Sequence, residues 1–163
     1  MSAQQMEALG QESLREHLLA QAIIAHQKHG VLASANLQTF LNDPDCIRHP
    51  VRLAFAVGPM AMHQFAQPDV DPLNLAQDGR ILYLRPILKQ RPELIALAVA
   101  YMVPVINYGD IVSDEHCLLY GAAILGMMED EYYLGVCALA DLCGAETRMP
   151  GYGFSSCTPR SNV

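Results

Sequence analysis

The apolar stretch from Leu94 to Ile106 constrains the fold of this chain more than any other feature of the sequence. It is apolar around the whole circumference of a helix, a pattern typical of a helix that is buried on every side. Pro92 suits the first helical position, where its missing N–H would be unpaired in any case. Pro104 should kink or end the helix, because proline removes a backbone hydrogen bond. The sequence therefore predicts a central buried helix from Glu93 to about Ile106.

The same stretch is the one candidate for a membrane span. With its neighbours it covers 16 residues, Leu94 to Gly109, whereas crossing a bilayer takes about 20. We therefore expect no membrane span. The segment from Met1 to Gln11 is polar and lacks the apolar run of a signal peptide. The five cysteines include no CxxC pair, so we expect them to be mostly reduced and the cytoplasm to be the default location.

Composition sets the domain organisation and the class of partner. The chain has 163 residues, 52% hydrophobic and only 17% charged, which excludes disorder for its body. Its net charge is −7 and it has no basic run, so nucleic acid is excluded as a partner. So few charged residues can cover little of the surface, which favours a protein partner or a homo-oligomer. We expect one globular domain over residues 1–143 and a loosely ordered tail over 144–163, where Gly, Pro and Ser are frequent.

Both ends of the chain have helical periodicity. The first helix should end at Gly30, and its apolar stripe is predicted to contain Leu14, Leu18, Leu19, Ala22 and Ile23. Ser34 is the predicted N-cap of a short second helix. In the last third, one helix should begin after Ser113, and another should run from about Asp130 to Cys143 with Gly144 as its stop.

The middle of the chain has the periodicity of strands. Val51 to Val57 alternates apolar and small or polar residues, Arg80 to Arg85 is a second strand, and Met62 to Phe65 is a further candidate before a long loop. The predicted fold class is α+β, with helices at both ends around a small antiparallel or mixed sheet and the central buried helix. The alternative is an all-α bundle in which the first two segments are not strands.

Three passages resemble parts of the small zinc metallopeptidases of the gluzincin type. GRILYLRPILKQRPELIALAVAYM (Gly79 to Met102) is similar to that family's edge strand, short turn and buried active-site helix. MHQFAQPDVD (Met62 to Asp71) resembles the loop before that strand, and SDEHCLLYGAAILG (Ser113 to Gly126) resembles the later helix that opens with the third zinc ligand. The resemblance covers roughly half the chain and implies a zincin-like scaffold.

The family's defining motif is absent. Gluzincins carry HExxH on the buried helix, because two His side chains one turn apart bind the same zinc and the Glu activates its water. The matching residues here are YMVPV (Tyr101 to Val105), which contain neither His ligand nor the general base. Glu115 matches the third ligand, but one carboxylate does not hold zinc. The resemblance therefore implies a degenerate scaffold without peptidase activity, and we expect no cofactor, with zinc as the alternative.

Polar residues concentrate at the start of the helix that follows Ser113. Glu115, His116 and Cys117 are the candidate catalytic residues there, since an acid and an imidazole can exchange protons or bind a metal. Adjacent helical residues point about 100° apart, however, so the three cannot converge on one point. The simpler interpretation is that Ser113 caps the helix and the acids of the first turn stabilise it.

The histidines supply the remaining metal candidates. His26 and His29 lie three residues apart on one face of the first helix, and His63 is the candidate in the middle segment. A metal-dependent hydrolase would use Glu115 and His116 with His63 or His26. Histidines at the surface end of a helix are nevertheless the commoner case.

Two cysteines are candidate nucleophiles, Cys46 and Cys117. Cys46 has Asp45, Arg48 and His49 nearby, and the bases could lower the pKa of its thiol. A Cys/His hydrolase is therefore an alternative function, although inert thiols are commoner. The leading hypothesis is a non-catalytic domain that binds a protein partner or self-associates.

Overall fold

A computed structural model describes residues 2–147 and has the predicted α+β fold. Within that range five α-helices form: α1 (Ala3–His29), α2 (Leu37–Leu41), α3 (Pro92–Tyr108), α4 (Asp114–Leu125) and α5 (Glu129–Thr147). Three strands form the sheet: β1 (Val51–Phe55), β2 (Ala66–Val70) and β3 (Arg80–Leu84). Short 3₁₀ helices cover Leu75–Gln77, Pro86–Gln90 and Gly109–Ile111. The all-α alternative is therefore wrong.

The sheet is mixed, with strand order β1-β3-β2. β3 lies in the centre, parallel to β1 and antiparallel to β2. The two predicted strands at Val51 and Arg80 are confirmed, and these two residues are partners in the register. The candidate at Met62 to Phe65 is wrong, because the strand starts at Ala66 in the stretch assigned to a loop. Pro68 is tolerated there, since β2 is an edge strand and needs no bond from that N–H.

α3 is the central buried helix that the sequence predicts. Pro92 occupies its first turn, and Val99 and Val103 have no exposed surface. The helix does not end at Pro104 but continues to Tyr108. Packing against α4, α5 and β2 offsets the cost of an interior proline, about 3 kcal/mol.

The length argument against a membrane span is wrong, because α3 and its 3₁₀ extension form a segment of 20 residues, Pro92–Ile111, whose most apolar window has a mean hydropathy of 1.6. Half of its most apolar window is buried within the molecule. This burial is that of a core helix, and a membrane span is not indicated.

α1 begins earlier than the predicted apolar stripe and packs against α4. Ser2 and Gln5 form a capping box at its start, and Gly30 ends it as predicted, with a φ of 75°. Its buried residues are Leu18, Ala22 and Ala25. The predicted inward positions of Leu19 and Ile23 are wrong, since both are exposed. Alanines on the inner side let α1 lie close to α4, and the larger side chains point outward.

α4 and α5 form as predicted, except that α5 ends later than expected. Ser113 caps α4, and Gly126 ends it in the left-handed conformation. α5 continues through the predicted stop at Gly144 to Thr147, and the remainder of the predicted tail lies outside the described residues. Cys46 and Cys117 are free thiols. Cys137 is in a disulfide bond, so not every cysteine is reduced.

Candidate functional site

Three side chains surround the carboxylate of Asp43, a residue that is only 8% exposed. Oδ2 of Asp43 lies 2.7 Å from Nε2 of His29 and 2.8 Å from Nζ of Lys28. The Sγ of Cys46 donates to the same oxygen at 3.5 Å. We call Lys28, His29, Asp43 and Cys46 the Asp43 cluster. It joins the end of α1 to the turn that follows α2.

Local structure explains why these residues meet. Gly30 ends α1, so the chain reverses and α2 packs its apolar residues into the core. After α2, the carbonyl of Asp43 accepts from the N–H of Cys46 and of Ile47 at 3.0 and 2.9 Å. Oδ1 of Asp43 accepts from the N–H of Asp45 at 3.0 Å, as Asx turns do. This single turn places the thiol beside the carboxylate.

Asn107 of α3 anchors the segment that carries Cys46. Its Nδ2 donates to the carbonyl of Cys46 at 3.0 Å, and its Oδ1 accepts from the N–H of Arg48 at 2.9 Å. Asn107 is buried, so these bonds are shielded from water. The position of the thiol is therefore set by the core as well as by its own turn.

The charges of the cluster fix the protonation states of its members. Hydrogen bonds from Lys28 and, after it, His29 hold the pKa of Asp43 well below its usual range. The bonds to Asp43 and Asp45 raise the pKa of Lys28. Burial, together with the charge of Asp43, raises the pKa of Cys46 to about 11. At neutral pH the cluster thus holds a carboxylate, an ammonium and a neutral thiol.

Cys46 therefore does not have the lowered pKa that its neighbours suggested. Arg48 points away from it, donating to the carbonyl of Asn107 at 3.3 Å. His49 lies against Asp78, 3.2 Å from its Oδ2. A Cys/His nucleophile needs the imidazole in contact with the thiol, whereas here the thiol and His29 both contact Asp43.

The donor atoms of the cluster nevertheless suit a metal. One nitrogen of His29, one oxygen of Asp43 and the sulfur of Cys46 all lie within 4.8 Å of one another. An imidazole, a carboxylate and a thiol together favour zinc or a similar transition metal. Of the candidate metal ligands named from the sequence, only His29 belongs to this group. Asp43 was missed, although the spacing Asp43-x-x-Cys46 after a turn was a signal that could have found it.

At the start of α4, Ser113 and His116 form hydrogen bonds that cap the helix and contact α1. Nδ1 of His116 accepts from the N–H of Ser113 at 3.0 Å, so Nε2 carries the ring proton and lies 3.4 Å from the carbonyl of Gln11. Both ring nitrogens are thus occupied. Burial raises the pKa of Cys117 to about 12, and Glu115 is exposed. The capping interpretation of Ser113 is confirmed.

A shallow cleft of about 370 Å³ lies between α1 and the start of α4. Its polar lining includes Arg15, Glu115 and His116. Neither His63 nor His26 lines it. His63 is exposed in the β1–β2 connection, and Nδ1 of His26 donates to the carbonyl of Ile124 at the far end of α4. The structure therefore does not bring Glu115 and His116 together with His63 or His26, as a metal-dependent hydrolase would require.

The side of α1 that faces away from the core carries the exposed Glu12 and Glu16 together with several large apolar side chains. At 100° per residue, these apolar side chains lie about 100–240° around the helix from the buried Leu18. They include Met6 at 62%, Ile23 at 45% and Ile24 at 60% exposure. We call this surface the outer face of α1; its members are Met6, Leu9, Leu19, Ile23 and Ile24.

No protein-family model, curated protein or solved structure matches this chain.

Proposed function

We propose that this chain is a non-catalytic domain that self-associates through the outer face of α1. The observation that carries the proposal is the exposure of five large apolar side chains on one helix. Apolar area removed from water stabilises an association by about 25 cal/mol per Å² before the costs of binding. A helix of 27 residues is roughly 40 Å long, which is enough for an interface of the standard size, about 800 Å² per partner.

A second copy in antiparallel orientation, related by a two-fold axis, would bring the outer face of each α1 onto that of the other. A surface that pairs with itself is what an isologous dimer requires. Lys28 in the last turn of α1 is already paired with Asp43 and Asp45 of its own chain, so the proposed contact depends on apolar surface and not on charge.

The contact between α3 and α4 supports a scaffold without peptidase chemistry. Tyr101, which matches the first His of HExxH, donates to Oδ1 of Asp114 at 2.7 Å. Asp114 precedes Glu115, which matches the third zinc ligand. A direct hydrogen bond thus joins α3 and α4 beside the positions that the resemblance matches to zinc ligands. Burial, with this bond, raises the pKa of Tyr101 far above its usual range, so the phenol stays neutral.

The proposal is tested by adding a charge to the outer face. Ile24→Glu places a carboxylate within the proposed interface, so we expect the dimer to dissociate at concentrations where the unmodified chain is dimeric. Multi-angle light scattering after gel filtration measures the mass of both. Circular dichroism establishes that the variant is folded.

Gln4→Glu is the matched control, because it adds the same charge to an exposed position of α1 that lies on the side of the helix of the buried Leu18, away from the outer face. We expect it to remain dimeric. An Ile24→Glu variant that stays dimeric would show that this face is not the interface.

A further inference from the structure

Three donor atoms of different chemistry converge in the Asp43 cluster, on a part of the molecule distant in sequence from the zincin-like segments. Oδ2 of Asp43 is 2.7 Å from Nε2 of His29 and 3.5 Å from Sγ of Cys46. In a tetrahedral zinc site with bonds of about 2.0–2.3 Å, neighbouring donors lie roughly 3.3–3.7 Å apart. The distance from Oδ2 of Asp43 to Sγ of Cys46 already lies in this range. The distance from Oδ2 to Nε2 of His29 is below the range by less than about 1 Å.

A cation already occupies the position beside these donors. Nζ of Lys28 lies 2.8 Å from Oδ2 of Asp43, and it also lies 3.3 Å from Oδ2 of Asp45. The side chain of Lys28 is half exposed, and that of Asp45 is 81% exposed. The lysine can therefore leave Asp43 and keep its bond to Asp45 without burying an unpaired charge.

We propose that His29, Asp43 and Cys46 bind one divalent transition metal of the zinc class, and that Lys28 is the cation that replaces the metal when it is absent. Three protein ligands leave a fourth position of a tetrahedral zinc-class site for a water molecule. Nothing in this inference depends on self-association, since the ligands lie at the end of α1 and in the turn after α2.

The exchange of bonds involves no oxidation. The S–H bond of Cys46 breaks, its electron pair stays on sulfur and forms the metal–sulfur bond, and the proton passes to the buffer. A neutral His29 moves its ring proton to Nδ1, which frees the lone pair of Nε2 for the metal. The carboxylate of Asp43 exchanges the ammonium for the metal, and the ammonium moves to Asp45.

Cobalt(II) is the probe for this site, because it replaces zinc in tetrahedral sites and its thiolate complexes absorb visibly. The chelator-treated full chain is titrated with cobalt chloride. We expect intense visible d–d bands and a thiolate charge-transfer band that saturate at one equivalent and disappear when zinc is added. Absence of these bands would overturn the proposal.

Variants assign the ligands. Cys46→Ser should abolish the charge-transfer band, and Asp43→Asn should weaken cobalt binding at least tenfold. Cys117→Ser is the matched control and should keep the band, because that thiol is buried in α4. A band that survives Cys46→Ser, or is lost in Cys117→Ser with the fold intact, would contradict the assignment.

The role of Lys28 has its own measurement. Lys28→Met removes the competing ammonium, so cobalt should bind several-fold more tightly than to the unmodified chain. Lys89→Met removes an exposed lysine elsewhere and should leave the affinity unchanged. Equal or weaker affinity in Lys28→Met would contradict the competition between lysine and metal.

Discussion

At the scale of single residues, Asp71 shows how one ion pair links stability to pH. Its carboxylate is 5% exposed and accepts from Nε and Nη2 of Arg52 at 3.3 and 3.1 Å, and from the N–H of Leu73 at 3.0 Å. The bonds from Arg52 and, after them, Leu73 lower the pKa of Asp71. A carboxyl whose pKa is lower when folded contributes stability above its unfolded pKa, and this contribution is lost as the pH falls through the folded value.

Asp71→Asn should therefore make the free energy of unfolding fall less steeply with decreasing pH below about pH 4, the pKa of a carboxyl in the unfolded chain. Urea denaturation at a series of pH values measures the slope. Asp69→Asn is the control, because Asp69 is exposed and accepts only from the N–H of Val70 among the described residues. An Asp71→Asn slope equal to that of the unmodified chain would contradict the role of this pair.

Arg85 shows what residue patterns alone could not predict. The alternation of RILYLR assigned Arg85 to a strand, whereas β3 ends one residue earlier at Leu84 and Arg85 is only 1% exposed. Its guanidinium donates to the carbonyls of Ala61, Met62 and Gln64 at 2.5, 2.9 and 2.7 Å, which ties down the β1–β2 connection. The Asp43 cluster was missed for the same reason. Both depend on loops folding back onto a side chain, and sequence periodicity carries no information about that.

At the scale of elements, the close approach of α4 and α5 depends on Gly121. A Cβ at this position would collide with the ring of Tyr132, which is fully buried and donates to the carbonyl of Leu97 at 2.8 Å. Gly121→Ala should therefore destabilise the fold by about 1–3 kcal/mol, the usual cost of overpacking. Urea denaturation measures this change.

Gly10→Ala is the matched substitution, because Gly10 lies in α1 and a Cβ added there would have no neighbouring atom within 4 Å. Alanine at this position should stabilise the protein by about 0.5–1 kcal/mol through helix propensity. If both variants were equally stable, the ring of Tyr132 would not limit the spacing of α4 and α5.

The elements that could be predicted are those whose local signals agree with their packing. β1 and β3 alternate, α3 is apolar all round, and Ser113 is a strong N-cap, so each was assigned correctly. β2 was missed because its sequence, AQPDV, contains a proline and polar residues and forms a strand only by pairing with β3. α1 was only partly predicted, since its apolar residues lie on two faces and periodicity did not identify the buried one.

At the scale of the whole molecule, the outer face of α1 connects composition to the proposed function. Only 17% of the residues are charged, and the fold places the remaining apolar side chains of its longest helix in solvent rather than in the core. The Asp43 cluster lies at the end of this same helix. A metal bound there would fix the end of α1 to the turn after α2 without entering the outer face.

The measurement that tests self-association most directly is sedimentation equilibrium of the unmodified chain over a range of concentrations. We expect a reversible equilibrium between a monomer of 17.9 kDa and a species of twice that mass. A single species of 17.9 kDa at every concentration would contradict it.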